Sequence, residues 1–175
     1  HMLMVVYSNG NIDLMNRDGM YNLPYLKNAG NIQDKTPNEI NFVGEKAYLS
    51  THFGIVVIDM KKKEVFESYK LGMKVYSSCL RGEMIYASTE RGLYTASTKD
   101  NLMDFNNWKQ LPIHDADLDK KKIVRIGIFQ DKLCLCIPGA GLYYRNDDGQ
   151  IIPLVKQIYI EGMTIQGDRL LAHTG

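Results

Sequence analysis

The 175-residue sequence has few cysteines, no excess of either charge and no long apolar run. Its 21 Lys and Arg residues balance 20 Asp and Glu residues, so no charge excess attracts nucleic acid or anionic lipid. The longest apolar runs, at positions 54–58 and 133–137, have the length of β-strands and are far shorter than a membrane-spanning helix. We therefore predict neither a nucleic-acid partner nor a membrane span in this chain.

The three cysteines indicate neither a metal site nor a dense disulfide framework. Cys134 and Cys136 are two residues apart in a run with strand character, which puts both side chains on one face. We expect both to be small buried hydrophobic residues.

Motifs for catalysis are also missing. Of the four histidines, His1 is typical of an expression tag, whereas His52, His114 and His173 have no ligand or triad partner at motif spacing. The sequence contains no serine elbow, paired-carboxylate motif or phosphate-binding loop. We predict that the chain is not an enzyme and has no cofactor, and the sequence assigns no catalytic, metal-binding or ligand-binding residue.

The acidic segment Asp115-Ala116-Asp117-Leu118-Asp119 is similar to the start of a calcium-binding loop. It departs from that motif at the sixth position, where Lys120 replaces glycine, and at the closing position, where Ile126 replaces glutamate. Three consecutive lysines, 120–122, would also oppose a cation. A solvated loop is the favoured interpretation, with calcium binding as the alternative.

What the sequence does contain is an internal repeat. Two copies, at 40–59 and 79–94, align through three pairs: Gly44 with Gly82, Thr51 with Thr89, and Gly54 with Gly92. A looser copy at 126–144 reaches Gly141 after a longer loop, and partial copies occupy 5–14 and 163–174. The glycines at 10, 54, 92 and 141 are 44, 38 and 49 residues apart. A period of this length, built from strands and turns, is typical of β-propellers.

Each repeat predicts four short antiparallel strands, which is one propeller blade. The fold class is therefore all-β, as part of a β-propeller with about four four-stranded antiparallel blades. We divide the chain into a partial blade at 1–30, blades at 31–72, 73–112 and 113–157, and a partial blade at 158–175. Helical periodicity is nearly absent, and only 101–108 is expected to hold a helical turn.

At the segment 47–59, Ala-Tyr-Leu-Ser-Thr-His-Phe-Gly-Ile-Val-Val-Ile-Asp, the chain resembles the blades of the N-terminal propeller of the PorZ family. The segments 7–14 and 101–108 resemble the same family. Its members are surface components of the type IX secretion system of Bacteroidetes. The Thr-x-x-Gly-(Ile/Leu) core is also similar to regulator-propeller repeats in the periplasmic sensors of hybrid two-component systems.

The resemblance implies a non-catalytic interaction module of the cell envelope, in the periplasm or at the cell surface. PorZ-type proteins are associated with the outer-membrane complex that attaches secreted cargo to surface lipopolysaccharide. A cell-envelope protein or a surface polysaccharide is therefore the implied partner. The regulator-propeller alternative implies a periplasmic glycan sensor.

The repeat also predicts which residues occupy equivalent positions. Gly54, Gly92 and Gly141 should lie between the second and third strands of successive blades. Tyr48 and Tyr86 share one repeat position, which favours packing between blades over ligand contact. The residues expected to be largely buried are Ile40, Phe42, Tyr48, Ile85, Tyr86, Ile126, Ile128 and Leu133.

The two ends of the sequence fall inside repeats. The N-terminal copy is expected to lack its first strand, and the C-terminal copy to contain only its first two. Unpaired blade edges rich in apolar residues favour pairing with another chain. We therefore expect a homo-oligomer formed through the terminal blades rather than a closed ring.

Overall fold

The computed structural model describes residues 2–174, which form two compact units, one covering residues up to Val75 and the other beginning at Tyr76. Eleven of the strand pairs within the sheets are antiparallel. The all-β prediction is confirmed. No helix among residues 2–174 has the length and apolar character needed to cross a membrane.

The first unit contains two antiparallel sheets joined by a connection at 24–36. The first sheet has three strands in the order β1-β2-β3, and the second has four in the order β4-β5-β6-β7. Their bounds are β1 Leu3–Val6, β2 Ile12–Asn16, β3 Gly19–Leu23, β4 Pro37–Val43, β5 Lys46–Thr51, β6 Gly54–Asp59 and β7 Glu64–Lys70, with the helix α1 at Tyr25–Asn28 inside the connection.

The second unit contains two four-stranded sheets and a two-stranded sheet, with strands again adjacent in chain order. The bounds are β8 Val75–Arg81, β9 Met84–Thr89, β10 Gly92–Ser97, β11 Lys109–Leu111, β12 Arg125–Phe129, β13 Lys132–Ile137, β14 Gly141–Arg145, β15 Ile151–Lys156, β16 Ile160–Gln166 and β17 Arg169–Thr174. A 3₁₀ turn at Phe105–Asn107 lies where the sequence predicts a helical turn. The expectation that no other helix exists is wrong, because α1 precedes β4 in the first unit.

The repeated glycines start the third strand of their sheets, as predicted: Gly54 opens β6, Gly92 opens β10 and Gly141 opens β14. Gly54 has a φ of +150°, and a Cβ atom there would collide with the carbonyl oxygen of Tyr69. Gly141 has a φ of +128°, and its Cβ would collide in the same way with the carbonyl oxygen of Val155. Only glycine fits both the backbone conformation and the close approach of the fourth strand.

The threonine of the Thr-x-x-Gly pattern closes the turn between the second and third strands. Thr51 Oγ1 donates to the carbonyl of Gly54 at 2.9 Å, and Thr89 Oγ1 donates to that of Gly92 at 2.8 Å. Each hydroxyl also accepts a backbone N–H within its turn, from Phe53 and Arg91 respectively. The repeat is therefore a hydrogen-bonded turn motif.

Burial follows the predicted pattern at five of its eight positions: Tyr48, Ile85, Tyr86, Ile126 and Leu133 are buried. Ile40 and Ile128 are only half-buried. Phe42 is 55% exposed, so its predicted burial is wrong. It lies near the end of β4, which is an edge strand of its sheet.

Candidate functional site

Three chain segments of the first unit meet at one end of its second sheet. In an up-and-down antiparallel sheet, the turn between the second and third strands and the chain leaving the fourth strand lie at the same end. The backbone N–H of His52, in the β5–β6 turn, donates to the carbonyl of Thr36 at 3.0 Å. The N–H of Leu71, just after β7, donates to the carbonyl of Phe53 at 3.1 Å. These bonds tie the connection at 24–36 to the turn and to the end of β7.

One apolar side chain anchors α1. Leu26 is fully buried and packs in a core cluster with Ile12 and Leu14 of β2. The helix also lies against the β1–β2 turn, since a Cβ atom on Gly10 would stand 3.1 Å from the Leu26 Cβ. Gly10, with a φ of +84°, therefore allows the close approach.

A cleft of about 550 Å³ opens beside this helix. We call it the α1 cleft; its lining residues are Pro24, Tyr25, Asn28, Ala29, Asn31, Ile32 and Lys70. Apart from Lys70, at the end of β7, all belong to the segment 24–32. The sequence reasoning missed this site, although the tyrosine and two asparagines clustered after Pro24 were a detectable signal.

A side-chain hydrogen bond holds the connection near the cleft. His52 Nδ1 donates to Asp34 Oδ2 at 2.7 Å, and the other carboxylate oxygen of Asp34 accepts the N–H of Thr36 at 3.1 Å. These hydrogen bonds, chiefly that from His52, hold the pKa of the Asp34 carboxyl well below its usual range. His52, for which the sequence shows no triad partner at motif spacing, has Asp34 as a structural partner.

A second polar network lies at the base of the β1–β2 turn. The carboxylate of Asp13, which is buried, accepts from Asn22 Nδ2 at 2.7 Å and from Asn11 Nδ2 at 3.4 Å. The hydrogen bond from Asn22, followed by that from the Tyr7 hydroxyl, lowers the pKa of Asp13, and the same contact with Asp13 raises the pKa of Tyr7. Asn22 also donates to Asn11 Oδ1 at 2.9 Å. The polar side chains of this network hydrogen-bond to one another, and these bonds stabilise the turn.

The other two histidines considered above, His114 and His173, belong to the second unit. The backbone N–H of His114 donates to the carbonyl of Gly149 at 3.1 Å, and its ring lies beside that glycine. His173 lies on β17, with its ring against Gly162 of β16. Both rings pack against glycine backbone.

The acidic segment 115–119 forms a turn packed onto the second unit. Leu118 is buried in a core cluster with Tyr86 and Leu133. Asp115 Oδ1 accepts the N–H of Asp117 at 3.0 Å. Among residues 2–174, no group of three or more His, Cys, Asp or Glu side chains is arranged to hold a metal ion.

The cysteines, Tyr86 and Trp108 are buried in the second unit. Cys134 and Cys136 are buried in one cluster, as predicted, and burial raises the pKa of the Cys136 thiol to about 11. Tyr86 is buried among residues of β12 and β13. Trp108 is also buried, and its indole N–H donates to the carbonyl of Leu102 at 3.0 Å. These residues stabilise the sheets.

An arginine cluster in the second unit is occupied by contacts within the chain. Arg81 donates to the Tyr86 hydroxyl at 3.2 Å and to Asp147 at 3.3 Å. Arg145 donates to the carbonyls of Pro112 and Asn146, each at 3.1 Å, and burial lowers its pKa. Both guanidinium groups brace loops, so the α1 cleft is the stronger candidate.

The chain has been compared with known families and structures. The family model described as "TSS9, PorZ, N-terminal beta-propeller domain" matches residues 1–109. None of the curated protein sequences compared with the chain is significantly similar to it.

Among solved structures, PorZ of Porphyromonas gingivalis, an essential bacterial surface component of its type IX secretion system, is similar with a TM-score of 0.78 and 28% identity. The match covers 89% of this chain and 21% of PorZ, so the chain spans about a fifth of that protein's length.

Two further structures share the fold at lower identity. The extracellular domain of the putative hybrid two-component system BT4673 from B. thetaiotaomicron has a TM-score of 0.55 and 15% identity, over 92% of this chain and 22% of its own. The dihydro-heme d1 dehydrogenase NirN has a TM-score of 0.67 and 13% identity, over 99% of this chain and 39% of its own. At such identities the likeness concerns the propeller fold alone.

Proposed function

The chain belongs to the family of PorZ N-terminal β-propeller domains of the type IX secretion system, and from this premise we propose that it is a non-catalytic binding module of the cell envelope. The observation that carries the proposal is the family match over residues 1–109, which includes the segment that forms the α1 cleft. Its partner is a surface polysaccharide or an envelope protein of the secretion machinery.

The finer role that we propose is the handling of surface lipopolysaccharide during cargo attachment. Two observations support a binding role: a solvent-facing cleft on an antiparallel scaffold, and the side-chain amides of Asn28 and Asn31 beside it, which make no hydrogen bond to another of the residues 2–174. The three histidines and the acidic segment that resemble catalytic or metal groups in the sequence are each engaged in packing or turn contacts.

The test is retention of the purified chain on immobilised lipopolysaccharide from a Bacteroidetes species with type IX secretion. The chain should be retained by lipopolysaccharide that carries its surface polysaccharide and not by the core structure that lacks it. Cross-linking on cells should capture components of the secretion machinery. Failure of both assays would contradict the proposal, and release of sugar products during incubation would contradict a non-catalytic role.

The lipopolysaccharide-binding assay also distinguishes the proposed function from the alternative, a periplasmic glycan sensor. A periplasmic glycan sensor binds free glycan fragments, so soluble oligosaccharide should bind tightly while lipid-linked polysaccharide does not. The likeness to BT4673 concerns the fold, so no specific observation favours that role over the family to which the chain belongs.

A further inference from the structure

We propose that the open edge of β3 is the interface for a second copy of this chain. The two copies pair β3 with β3 around a two-fold axis at Tyr21, which joins their three-stranded sheets into one antiparallel sheet. This inference goes beyond the proposed function and gives the self-association expected from the sequence a defined surface.

The open edge of β3 is regular and uncharged. Its five residues pair with β2 without a register shift, and they include neither proline nor a charged residue. All of them except Leu23 are exposed, and Met20 is 65% exposed. Native sheets usually protect such an edge with a charge, a proline or a bulge, because it readily pairs with another strand.

The last strands of the other four sheets carry these protections. β7 contains two glutamates and a lysine, and its pairing with β6 shifts register between Val57 and Ile58. β15 contains Pro153 and pairs with a second register shift. β11 has only three residues, one of them a lysine, and β17 begins with Arg169. Within residues 2–174, β3 is therefore the one last strand of a sheet that lacks them all.

The hairpin register determines which backbone groups of β3 face the open edge. Asn16 and Gly19 flank the turn between β2 and β3 and lie opposite each other. In a tight hairpin this flanking pair exchanges backbone hydrogen bonds, and bonded pairs alternate with unbonded pairs along the ladder. The N–H and C=O groups of Met20 and Asn22 therefore point away from β2.

These outward backbone groups are self-complementary. When β3 strands of two copies run antiparallel around Tyr21, Met20 of each copy lies opposite the partner's Asn22. Each such pair exchanges an N–H and a C=O in both directions, so the outward groups of both strands find partners. One strand can form this contact with itself because a two-fold axis relates the copies.

The side chains across the axis are also compatible. Tyr21 lies opposite the partner's Tyr21 at an unbonded pair, where the Cβ atoms are close and aromatic rings pack favourably. The Lys63 Nζ atom, 3.3 Å from the centre of the Tyr21 ring, holds that ring in place in each copy. Met20 supplies an apolar side chain beside the partner's Asn22.

A second copy fits this edge better than an unrelated extended peptide does. A free peptide loses conformational entropy when it becomes a strand, and an edge of five residues offers few hydrogen bonds in return. The β3 strand of a second copy is already ordered in its hairpin. An uncharged strand also suits an identical partner, because a charged one would bring like charges together across the axis.

The first test is the oligomeric state of the chain over a concentration series, measured by analytical ultracentrifugation. Met20→Pro removes an outward N–H, and an edge strand tolerates proline at such a position, so the fold should be kept. Met20→Leu retains the N–H and an apolar side chain and is the matched control. The parent chain and Met20→Leu should share one monomer–dimer equilibrium, and Met20→Pro should raise its dissociation constant at least about tenfold.

The second test is a cross-link that reports the register. Tyr21→Cys places two thiols opposite each other across the axis, at a separation suited to a disulfide. Phe66→Cys is the matched control, because Phe66 is an exposed aromatic residue of β7 that also has a lysine over its ring. The chain's own three cysteines are buried. Mild oxidation should give a covalent dimer of the Tyr21→Cys variant and none of the Phe66→Cys variant.

Three results would overturn the inference: a chain that stays monomeric over the whole series, a Met20→Pro variant that dimerises like the parent, or equal cross-linking of the two cysteine variants. If thermal unfolding shows that Met20→Pro does not fold, the cross-link decides. Retention of the folded Met20→Pro variant on lipopolysaccharide reports separately on the proposed function. Loss of the dimer with full retention would leave that function intact.

Discussion

Two connections of equal length follow the last strands of their sheets in this chain and have different structures. The connection at 24–36 joins β3 to β4 and the connection at 112–124 joins β11 to β12, and each is 13 residues long. The first buries one side chain, Leu26, while the second buries two, Leu118 and Ile123. The first leaves a cleft with an exposed tyrosine, whereas the second packs against the core of its own unit.

The difference between the two connections indicates that the number of buried apolar side chains in a loop determines how much of the loop stays exposed to solvent. Two anchors at 118 and 123 hold the second connection onto the core along most of its length. A single anchor at the start of the first connection leaves its polar residues free to face solvent. Functional residues concentrate on loops that a rigid scaffold positions in this way.

The largest effect should come from removing the single anchor. Leu26→Ala leaves a cavity in a fully buried position and should lower the free energy of unfolding by about 4 kcal/mol. It should also abolish saccharide binding, because α1 loses the contact that holds it beside the cleft. Chemical denaturation and retention on lipopolysaccharide measure the two effects. Full affinity in a destabilised variant would mean that Leu26 does not position the cleft.

Removing one of two anchors should separate stability from binding. Leu118→Ala should cost about 3 kcal/mol, because Leu118 is buried and Ile123 still holds the connection. Saccharide affinity should not change, since the α1 cleft lies in the other unit. If Leu118→Ala weakens binding as much as Leu26→Ala does, binding depends on the stability of the whole chain. The two connections would then not differ in their effect on the α1 cleft.

A smaller effect should follow from a change in the turn that the first connection contacts. Gly54→Ala should destabilise the chain by about 2–3 kcal/mol, because its Cβ collides with the Tyr69 carbonyl at a positive φ. Gly44→Ala is the matched control, with a φ of +60° and open space around the added Cβ, and should cost about 1 kcal/mol. Equal losses in denaturation would remove the steric explanation of the repeated glycine.

The repeat predicted the sheets because its glycines and threonines are required by local geometry. A positive φ and a hydrogen-bonded turn are properties of a few adjacent residues, so Gly54 and Thr51 mark their turn in the sequence alone. The burial of Phe42 was predicted wrongly because the repeat pattern does not show what packs over the end of β4, an edge strand of its sheet. Self-association through the terminal sheets stays a prediction.

The lining residues of the α1 cleft were detectable in the sequence as a polar cluster after Pro24, but the contacts that shape the cleft depend on tertiary structure. The four residues of α1 are too few to show helical periodicity. The contact between Leu26 and Gly10 joins positions 16 residues apart that the repeat does not relate. The pair of Asp34 and His52 likewise depends on the fold that brings the connection to the β5–β6 turn.

The smallest effect should come from the pair that ties the first connection to the β5–β6 turn. Asp34 has a pKa held below its ordinary value of 3.8, so it stabilises the fold at pH values above 3.8, and this contribution is lost as the pH falls below it. Asp34→Asn should therefore lower the melting temperature slightly at neutral pH, and its difference from the parent chain should shrink below about pH 4. Thermal unfolding between pH 7 and pH 3 measures this, with Asp168→Asn as the control, because that exposed carboxylate makes no hydrogen bond to another of the residues 2–174.

A constant difference in melting temperature across the whole pH range would mean that the charge of Asp34 is irrelevant and that only the shape of the connection matters. If saccharide affinity falls in Asp34→Asn while the fold is kept, the pair also holds the α1 cleft in its binding shape, and no equivalent effect should follow from a change in the connection at 112–124.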